Sequence, residues 1–251
     1  MYTPLDQFKI LSLISLKVFK LDFSITNMLI MLIVMLFFFI NLIKFITNAF
    51  SSSLFIIPNN WQFLIETSYK ITLKLLFDNL NKNGEIYFPF VSLIFLFILF
   101  CNLMGLIPYS FTCTSHLIVT FSISFSVFLG INIIGYKKYQ LKLFSLFIPS
   151  NTSVFLALIL VPIEFISYIA KPISLGVRLF INLMAGHTLL KVIVGFSWSM
   201  LVLEDIVTLI HFIPLLILIV LIVLELSVAM IQAYVFTILT CIYLNDSINL
   251  H

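Results

Sequence analysis

The sequence predicts an all-α integral membrane protein with about five membrane helices, of which the last two are unusually long, and one interfacial amphipathic helix. The first observation is composition, because 62% of the 251 residues are hydrophobic and only 9% are charged, whereas charged residues make up roughly a quarter of a soluble domain. The second is the length of the uncharged runs, since a helix needs about 20 apolar residues to cross the hydrocarbon core. The third is that the polar and apolar alternation of membrane β-barrel strands, about ten residues each, is missing.

The polar residues exclude several other classes of function. The 13 basic and 10 acidic residues lie mainly between the apolar runs and form no patch for nucleic acid. Cys101, Cys113 and Cys241 are scattered and include no CxxC pair, so they predict neither a zinc site nor a disulfide framework. We expect no catalytic residues, no cofactor and no metal.

The N-terminal part predicts an arm, one span and one surface helix. Residues 1 to 24 mix lysines and aspartates with apolar positions, which indicates a surface arm ahead of a single membrane domain at residues 25 to 251. Residues 25 to 43 carry no charge and predict the first span. From residue 58 to 82 charged and apolar residues alternate at helical spacing, which favours an amphipathic helix in the interface plane. A short soluble helix is the alternative.

Two further spans are predicted in a stretch of fifty-one residues, 86 to 136, that contains no acidic or basic side chain. A polar segment near its middle divides it into spans at 86 to 107 and 116 to 136. His116 lies at the boundary and is interpreted as an interfacial residue. The lysines before the first of these spans and after the second place both of those segments on one side, the matrix or cytoplasmic side.

The next helix is predicted at residues 152 to 198 and is too long to cross a membrane upright. Its forty-seven residues would measure about 70 Å, more than twice the hydrocarbon thickness. Pro162 and Pro172 lie within it. We therefore expect a helix that is strongly tilted or broken at a proline.

This helix carries the only arginine of the chain, Arg178, within apolar sequence where a permanent charge is costly. Glu164 and Lys171 precede it at seven-residue intervals and share one side of the helix with it. His187 follows nine residues later, about 900° around the helix, and therefore on the opposite side. Arginine stays protonated, whereas histidine can carry a proton near physiological pH. Arg178 and His187 should accordingly have separate partners.

The last helix is predicted at residues 206 to 244, with Glu225 as its only acid. Its length suits two spans with a turn at Glu225, but no Gly or Pro follows Pro214, so one tilted helix of about 58 Å is favoured. Gln232 lies seven residues after Glu225 on the same face. Antiparallel packing of the two long helices would bring the Arg178 region near the Glu225 region.

Three stretches resemble the subunit a family of F-type ATP synthases, which includes the mitochondrially encoded ATPase subunit 6. The most specific is SLGVRLFINLMAGH at residues 174 to 187, preceded by EFISY at residues 164 to 168. The others are ELSVAMIQAYVF at 225 to 236 and NLMGLIP at 102 to 108. Together they span roughly residues 60 to 245.

The resemblance implies a proton-translocating stator subunit whose two half-channels end at different heights on a rotating ring of proteolipid subunits, the c-ring. The long helices would pack as an antiparallel hairpin against this ring. Arg178 would separate the half-channels and prevent a proton short circuit. The implied site residues are Arg178, Asn182 beside it, and Glu225, His187, Gln232 and Glu164 along or near the proton paths. Lys171 has no assigned place among these groups.

The implied partners are the c-ring, whose carboxylate would face Arg178, other stator and membrane subunits, and lipids, with no nucleic acid. The implied location is the mitochondrial inner membrane, with a bacterial plasma membrane as the alternative, and the chain would perform no covalent chemistry itself.

Other interpretations remain open at this point. One structural alternative is that Arg178 forms a salt bridge with Glu164 or Glu225. Another is that Glu225 is protonated and serves only in packing. A secondary proton-coupled transporter is the functional one, and it predicts an internal repeat. No second copy of the Arg178 segment is present.

Overall fold

The computed structural model describes residues 4–18, 21–51, 60–107, 111–140, 154–202 and 212–248. The described part contains six α-helices and three short 3-10 turns. They are α1 (Asn27–Ser51), α2 (Asn60–Leu80), α3 (Phe88–Gly105), α4 (Leu117–Tyr139), α5 (Val154–Val202) and α6 (Phe212–Ile248). The 3-10 turns are Pro4–Phe8, Asn81–Tyr87 and Cys113–Ser115.

Within the described ranges, four helical stretches are long and apolar enough to cross a membrane. They are Gly84–Gly105, Leu117–Tyr139, Phe155–Met200 and Ile213–Ile248, and α1 adds a shorter apolar stretch, Asn27–Asn41. Large apolar side chains are exposed along all of these stretches, as expected for helices whose surroundings are lipid. The predicted class, an all-α integral membrane protein, is confirmed.

The arm before α1 contains short extended segments that were not predicted. β1 (Ser12–Ile14) pairs antiparallel with β4 (Ile25–Thr26), and β2 (Lys17–Val18) pairs antiparallel with β3 (Leu21–Asp22). Asn27 fastens the arm to the start of α1, because its Oδ1 accepts the Leu11 N–H and its Nδ2 donates to the Lys9 carbonyl, each at 3.2 Å.

The first four helices differ from the predicted segments at their ends. α1 continues beyond Lys44 to Ser51, since a lysine's long stem lets its ammonium reach a polar boundary without ending the helix. α3 begins at Phe88, two residues later than the predicted span, because a 3-10 turn precedes it. The polar segment that divides α3 from α4 includes residues 108–110, which lie outside the described part.

Both long helices are continuous. α5 has 49 residues and runs through Pro162 and Pro172 without interruption, so the predicted alternative of a break at a proline is wrong. α6 has 37 residues and no turn at Glu225. At 1.5 Å per residue they measure about 74 Å and about 56 Å, and neither can stand upright in a hydrocarbon core about 30 Å thick.

The chain forms two compact units, which we describe separately. Unit 1 comprises Met1–Leu54, Phe97–His116 and Leu179–Ala233, and unit 2 comprises Phe55–Leu96, Leu117–Arg178 and Tyr234–His251. Helices α3, α5 and α6 each contribute residues to both units.

In unit 2, α5 packs closely on α4 and runs antiparallel to α6. A methyl group on Gly176 would lie 2.7 Å from Ser124 Oγ and 3.2 Å from the Thr120 carbonyl oxygen, so glycine allows this approach. Lys171 contacts Asp246, while Arg178, seven residues later on α5, interacts with Tyr243, which comes earlier on α6. This reversed order of the contacts shows that the two helices run in opposite directions.

Candidate functional site

A cavity of about 220 Å³ in unit 1 contains three of the predicted site residues. Segments of α5 and α6 line it together with Leu106, just after α3. Its walls are mainly apolar, and its polar side chains are His187, Glu225 and Asn182. The volume has room for several water molecules, and these polar groups can bind them.

Glu225 brings a carboxyl group against the backbone of α5. Its Oε1 is buried and accepts no hydrogen bond from the described residues. A methyl group on Gly186 would lie 2.8 Å from this oxygen and 3.1 Å from the carboxyl carbon, so only glycine allows the carboxyl group to lie there undisturbed. A buried carboxylate without a hydrogen bond is costly, and this group therefore requires either a proton or water from the cavity.

His187 lies close to the backbone of Gly105. Its Nε2 is buried and has no hydrogen-bond partner among the described residues. An imidazole nitrogen in this state is able to accept or donate a proton. His187 and Glu225 thus place two unpartnered titratable atoms beside one cavity.

Asn102, on α3, fastens α6 close to this site. Its Nδ2 donates a hydrogen bond to the Ala229 carbonyl at 3.3 Å, and the amide is buried. Ala229 lies one turn after Glu225 and lines the same cavity. Asn102 belongs to a stretch that resembles the family, but no role was predicted for it. The only indication of a role in the sequence is that a polar residue stands at the end of an apolar run.

Gln232 and His116 also belong to unit 1. Gln232 is half-buried on α6 and is not among the residues that line the cavity. His116 lies 5.3 Å from Phe111, ring centroid to ring centroid. Burial lowers the pKa of His116 from its ordinary value of 6.5, which favours the neutral ring at physiological pH.

Arg178 belongs to unit 2, and its side chain is exposed. Among the described residues of that unit it forms no ion pair. Gly176, on the opposite side of α5, packs against α4, and Arg178 lies within electrostatic range of Tyr243 on α6. The exposed guanidinium can bind a further partner.

Glu164 also lies in unit 2, fourteen residues before Arg178 on α5. It is half-buried, and its Oε2 has no hydrogen-bond partner in the described part of the chain. The alternative of a salt bridge between Glu164 and Arg178 receives no support within this unit, where Arg178 has no acidic partner among the described residues.

The structure gives Lys171 a partner that sequence reasoning missed. Its Nζ lies 3.2 Å from Asp246 Oδ2, near the end of α6. The signal that could have found Asp246 was an acidic residue close to the end of the last apolar run, on a helix already expected to run antiparallel to α5.

Comparison with known proteins identifies the family of the chain. The family model described as ATP synthase A chain matches residues 25–245. The ATP synthase subunit a of Chondrus crispus is 46% identical over 249 residues, which cover 99% of this chain and 97% of that protein. The corresponding protein of Pylaiella littoralis is 48% identical over 249 residues and 99% of each chain, and that of Marchantia polymorpha is 44% identical over 252 residues and 99% of each chain.

The matched region begins before α1 and ends at residue 245, three residues before the end of α6. The three relatives are similar to this chain over nearly its whole length, so the resemblance is not confined to the motifs. The chain belongs to the ATP synthase A chain family.

Proposed function

We propose that this chain conducts protons to and from a rotating c-ring through two offset half-channels, and that Arg178 separates them. Membership of the family shows that the chain is the proton-translocating stator subunit of the F-type ATP synthase membrane sector and works in a complex with other ATP synthase subunits. The proposal that Arg178 separates two half-channels is carried by the state of this side chain, which is exposed and forms no ion pair among the described residues of its unit.

Arg178 acts as the barrier through its permanent charge. A c-ring carboxylate that passes an unshielded guanidinium is held in its ionised form, because an opposite charge nearby favours the charged state. A proton cannot cross that position on the carboxylate. Protons therefore enter on one side of Arg178, travel with the ring and leave on the other side, and net flow requires rotation.

The cavity beside His187 and Glu225 supports one of the two aqueous paths. The carboxyl group and the imidazole each have one atom without a partner among the residues that the structure describes, and they are able to exchange protons with water in the cavity. Asn182 offers a further polar contact on the same wall. Gln232 and Glu164 are proposed to support the paths from outside this cavity.

The driving energy comes from the membrane potential and the proton gradient. Moving one elementary charge through about 100 mV provides roughly 2.3 kcal/mol. Uncoupled flow past Arg178 would dissipate this energy, which is why the barrier has to act on every ring carboxylate.

The location and the immediate partner are parts of the same proposal. The chain is a multi-pass membrane protein, and its similarity to subunits of plant and algal ATP synthases supports a mitochondrial inner membrane. The c-ring is proposed as the partner that covers the exposed side of α5 at Arg178, with lipid on the remaining apolar surface.

The test is Arg178→Ala in the assembled complex, reconstituted in liposomes. We expect gradient-driven ATP synthesis and ATP-driven proton pumping to be lost while assembly, judged by native electrophoresis, is retained. Ser199→Ala, a change at an exposed serine near the end of α5, is the matched control and should keep both activities. Near-normal coupled synthesis in assembled Arg178→Ala would refute the proposal.

A further inference from the structure

We propose that Lys171 holds Asp246 away from Arg178 and so keeps the guanidinium available to the c-ring carboxylate. This inference rests on the proposed function of Arg178. It concerns a cluster of unit 2 in which α5 and α6 place two cations and one acid around a single tyrosine.

The ion pair is partly shielded and has aromatic neighbours. Lys171 Nζ lies 3.2 Å from Asp246 Oδ2, with the two side chains 31% and 45% exposed. The same Nζ lies 4.8 Å from the ring centre of Tyr243 and 5.5 Å from that of Tyr168. Both distances allow an attraction between the ammonium and the face of the ring, and the lysine is thus held from several sides.

The aromatic wall is braced by α4. The Tyr168 hydroxyl donates a hydrogen bond to Asn132 Oδ1, and the Phe128 ring lies 4.9 Å from the Tyr168 ring. Tyr168 therefore has little freedom to move aside, so the position of Lys171 is fixed by α4 as well as by its own helix.

Arg178 and Asp246 both act on the same tyrosine. The Tyr243 hydroxyl is within electrostatic range of Arg178 and of Asp246. Arg178 follows Lys171 by seven residues, two helical turns on the same side of α5, and Asp246 follows Tyr243 by three on α6, which makes them neighbours on that helix. Asp246 consequently has two candidate cations along α5.

Without restraint, a carboxylate would favour the arginine. A guanidinium binds a carboxylate through two parallel hydrogen bonds, whereas an ammonium offers a point charge. An acid bound in this way would neutralise Arg178, and the c-ring carboxylate passing it would no longer be held ionised. Lys171 prevents Asp246 from binding Arg178, because it holds Asp246 in an ion pair of its own.

Three variants of the assembled complex separate this role from simple fastening of α5 to α6. Lys171→Met should reduce gradient-driven ATP synthesis about tenfold, since loss of a close charge partner in a weakly polar site redirects the acid. Lys171→Arg should stay within about twofold of the parent. The double variant Lys171→Met/Asp246→Asn should recover to within about threefold, because the competing acid is gone.

The control is Lys137→Met, which removes an exposed lysine near the end of α4 and should leave synthesis unchanged. A double variant no better than Lys171→Met would overturn the proposal, since a fastening pair is not repaired by deleting its second member. Normal synthesis in Lys171→Met would overturn it as well. If Lys171→Met does not assemble, the double variant alone decides.

Arg178→Ala is measured in the same series to separate the two proposals. If that variant retains coupled synthesis, the function proposed for Arg178 fails, and this inference fails with it. If it loses synthesis while the Lys171 series departs from expectation, only the role of Lys171 is refuted.

Discussion

At the scale of single residues, the cavity in unit 1 contains two titratable groups with an atom that has no partner in the described part of the chain. Glu225 Oε1 and His187 Nε2 are buried and have no hydrogen bond from the described residues. A fully bonded group would resist exchange, because each proton transfer would break an existing hydrogen bond. Their unpartnered state is therefore suited to passing protons.

Glu225→Gln removes the carboxyl group but nearly keeps its shape. We expect it to slow passive proton flow through the membrane sector about a hundredfold, in line with the usual contribution of one positioned acid or base. ATP hydrolysis by the detached head should be unaffected. Proton flow is measured in liposomes that contain the membrane sector alone, and an unchanged conductance would contradict the assignment.

Gly186→Ala tests whether the carboxyl position itself matters. The new methyl group would lie 2.8 Å from Glu225 Oε1, so the carboxyl group has to move away from the cavity wall. We expect coupled synthesis to fall about tenfold, as misplacement of a reacting group by roughly an ångström has large effects.

Gly195→Ala on the same helix is the matched control, because a methyl group there meets nothing within 4 Å. It should keep full activity and add slightly to helix stability. Equal losses in the two variants would show that a general effect on α5, and not the contact with Glu225, is responsible.

Sequence reasoning identified the chemistry of the site but not its contacts. The resemblance to the subunit a family assigned His187, Glu225 and Asn182 to the proton paths, and these three residues line one cavity. The contact of Gly186 with Glu225 and the hydrogen bond from Asn102 to Ala229 were not predictable, because both join residues that are distant in the chain. Periodicity predicts on which face of its own helix a residue lies, but it does not predict which residue of another helix packs against it.

At the scale of helices, the approach of α5 to α4 in unit 2 depends on Gly176. Small residues allow membrane helices to pack closely and gain van der Waals contact. A methyl group on Gly176 would meet the Thr120 carbonyl oxygen and the Phe121 Cα, each at 3.2 Å. Backbone atoms cannot turn aside as a side chain does.

Gly176→Ala should therefore destabilise this packing by about 1 to 3 kcal/mol, the usual penalty for adding a methyl group to a filled space. Gly130→Ala on α4, where a methyl group meets nothing within 4 Å, should have no such effect. Thermal unfolding of the detergent-solubilised complex gives the comparison. A Gly176→Ala protein as stable as Gly130→Ala would show that α4 can shift freely.

The helices themselves were largely predictable, because long uncharged runs have few alternatives in a membrane. The continuity of α6 followed from its lack of Gly and Pro after Pro214. Whether α5 breaks at Pro162 or Pro172 did not follow, since a membrane helix accommodates proline by bending or by local adjustment. The strands of the N-terminal arm were missed because segments of two or three residues are too short to show an alternating pattern.

At the scale of the whole molecule, the proposed function requires one exposed side of α5 to meet another protein. Ser174 is exposed one turn before Arg178, and Leu175 beside it is 4% exposed. We expect Ser174→Cys to cross-link to a cysteine on the outer helix of the c-ring in the assembled complex, and Leu175→Cys to remain unlinked.

Ser174 and Leu175 are adjacent on α5, so the two introduced cysteines lie at nearly the same depth in the membrane. The native Cys101, Cys113 and Cys241 are buried, which leaves the introduced thiol as the accessible one among the described residues. A cross-link from Leu175→Cys but not from Ser174→Cys would place the c-ring elsewhere.

α5 contains two prolines, Pro162 and Pro172, that lower its resistance to bending. Each proline removes one N–H from the ladder of backbone hydrogen bonds and crowds the carbonyl four residues earlier, so resistance to bending is lowest at these two places. Both precede Arg178. If the c-ring passes Arg178 as proposed, we expect α5 to accommodate it by bending at these prolines, with its helical hydrogen bonds elsewhere intact.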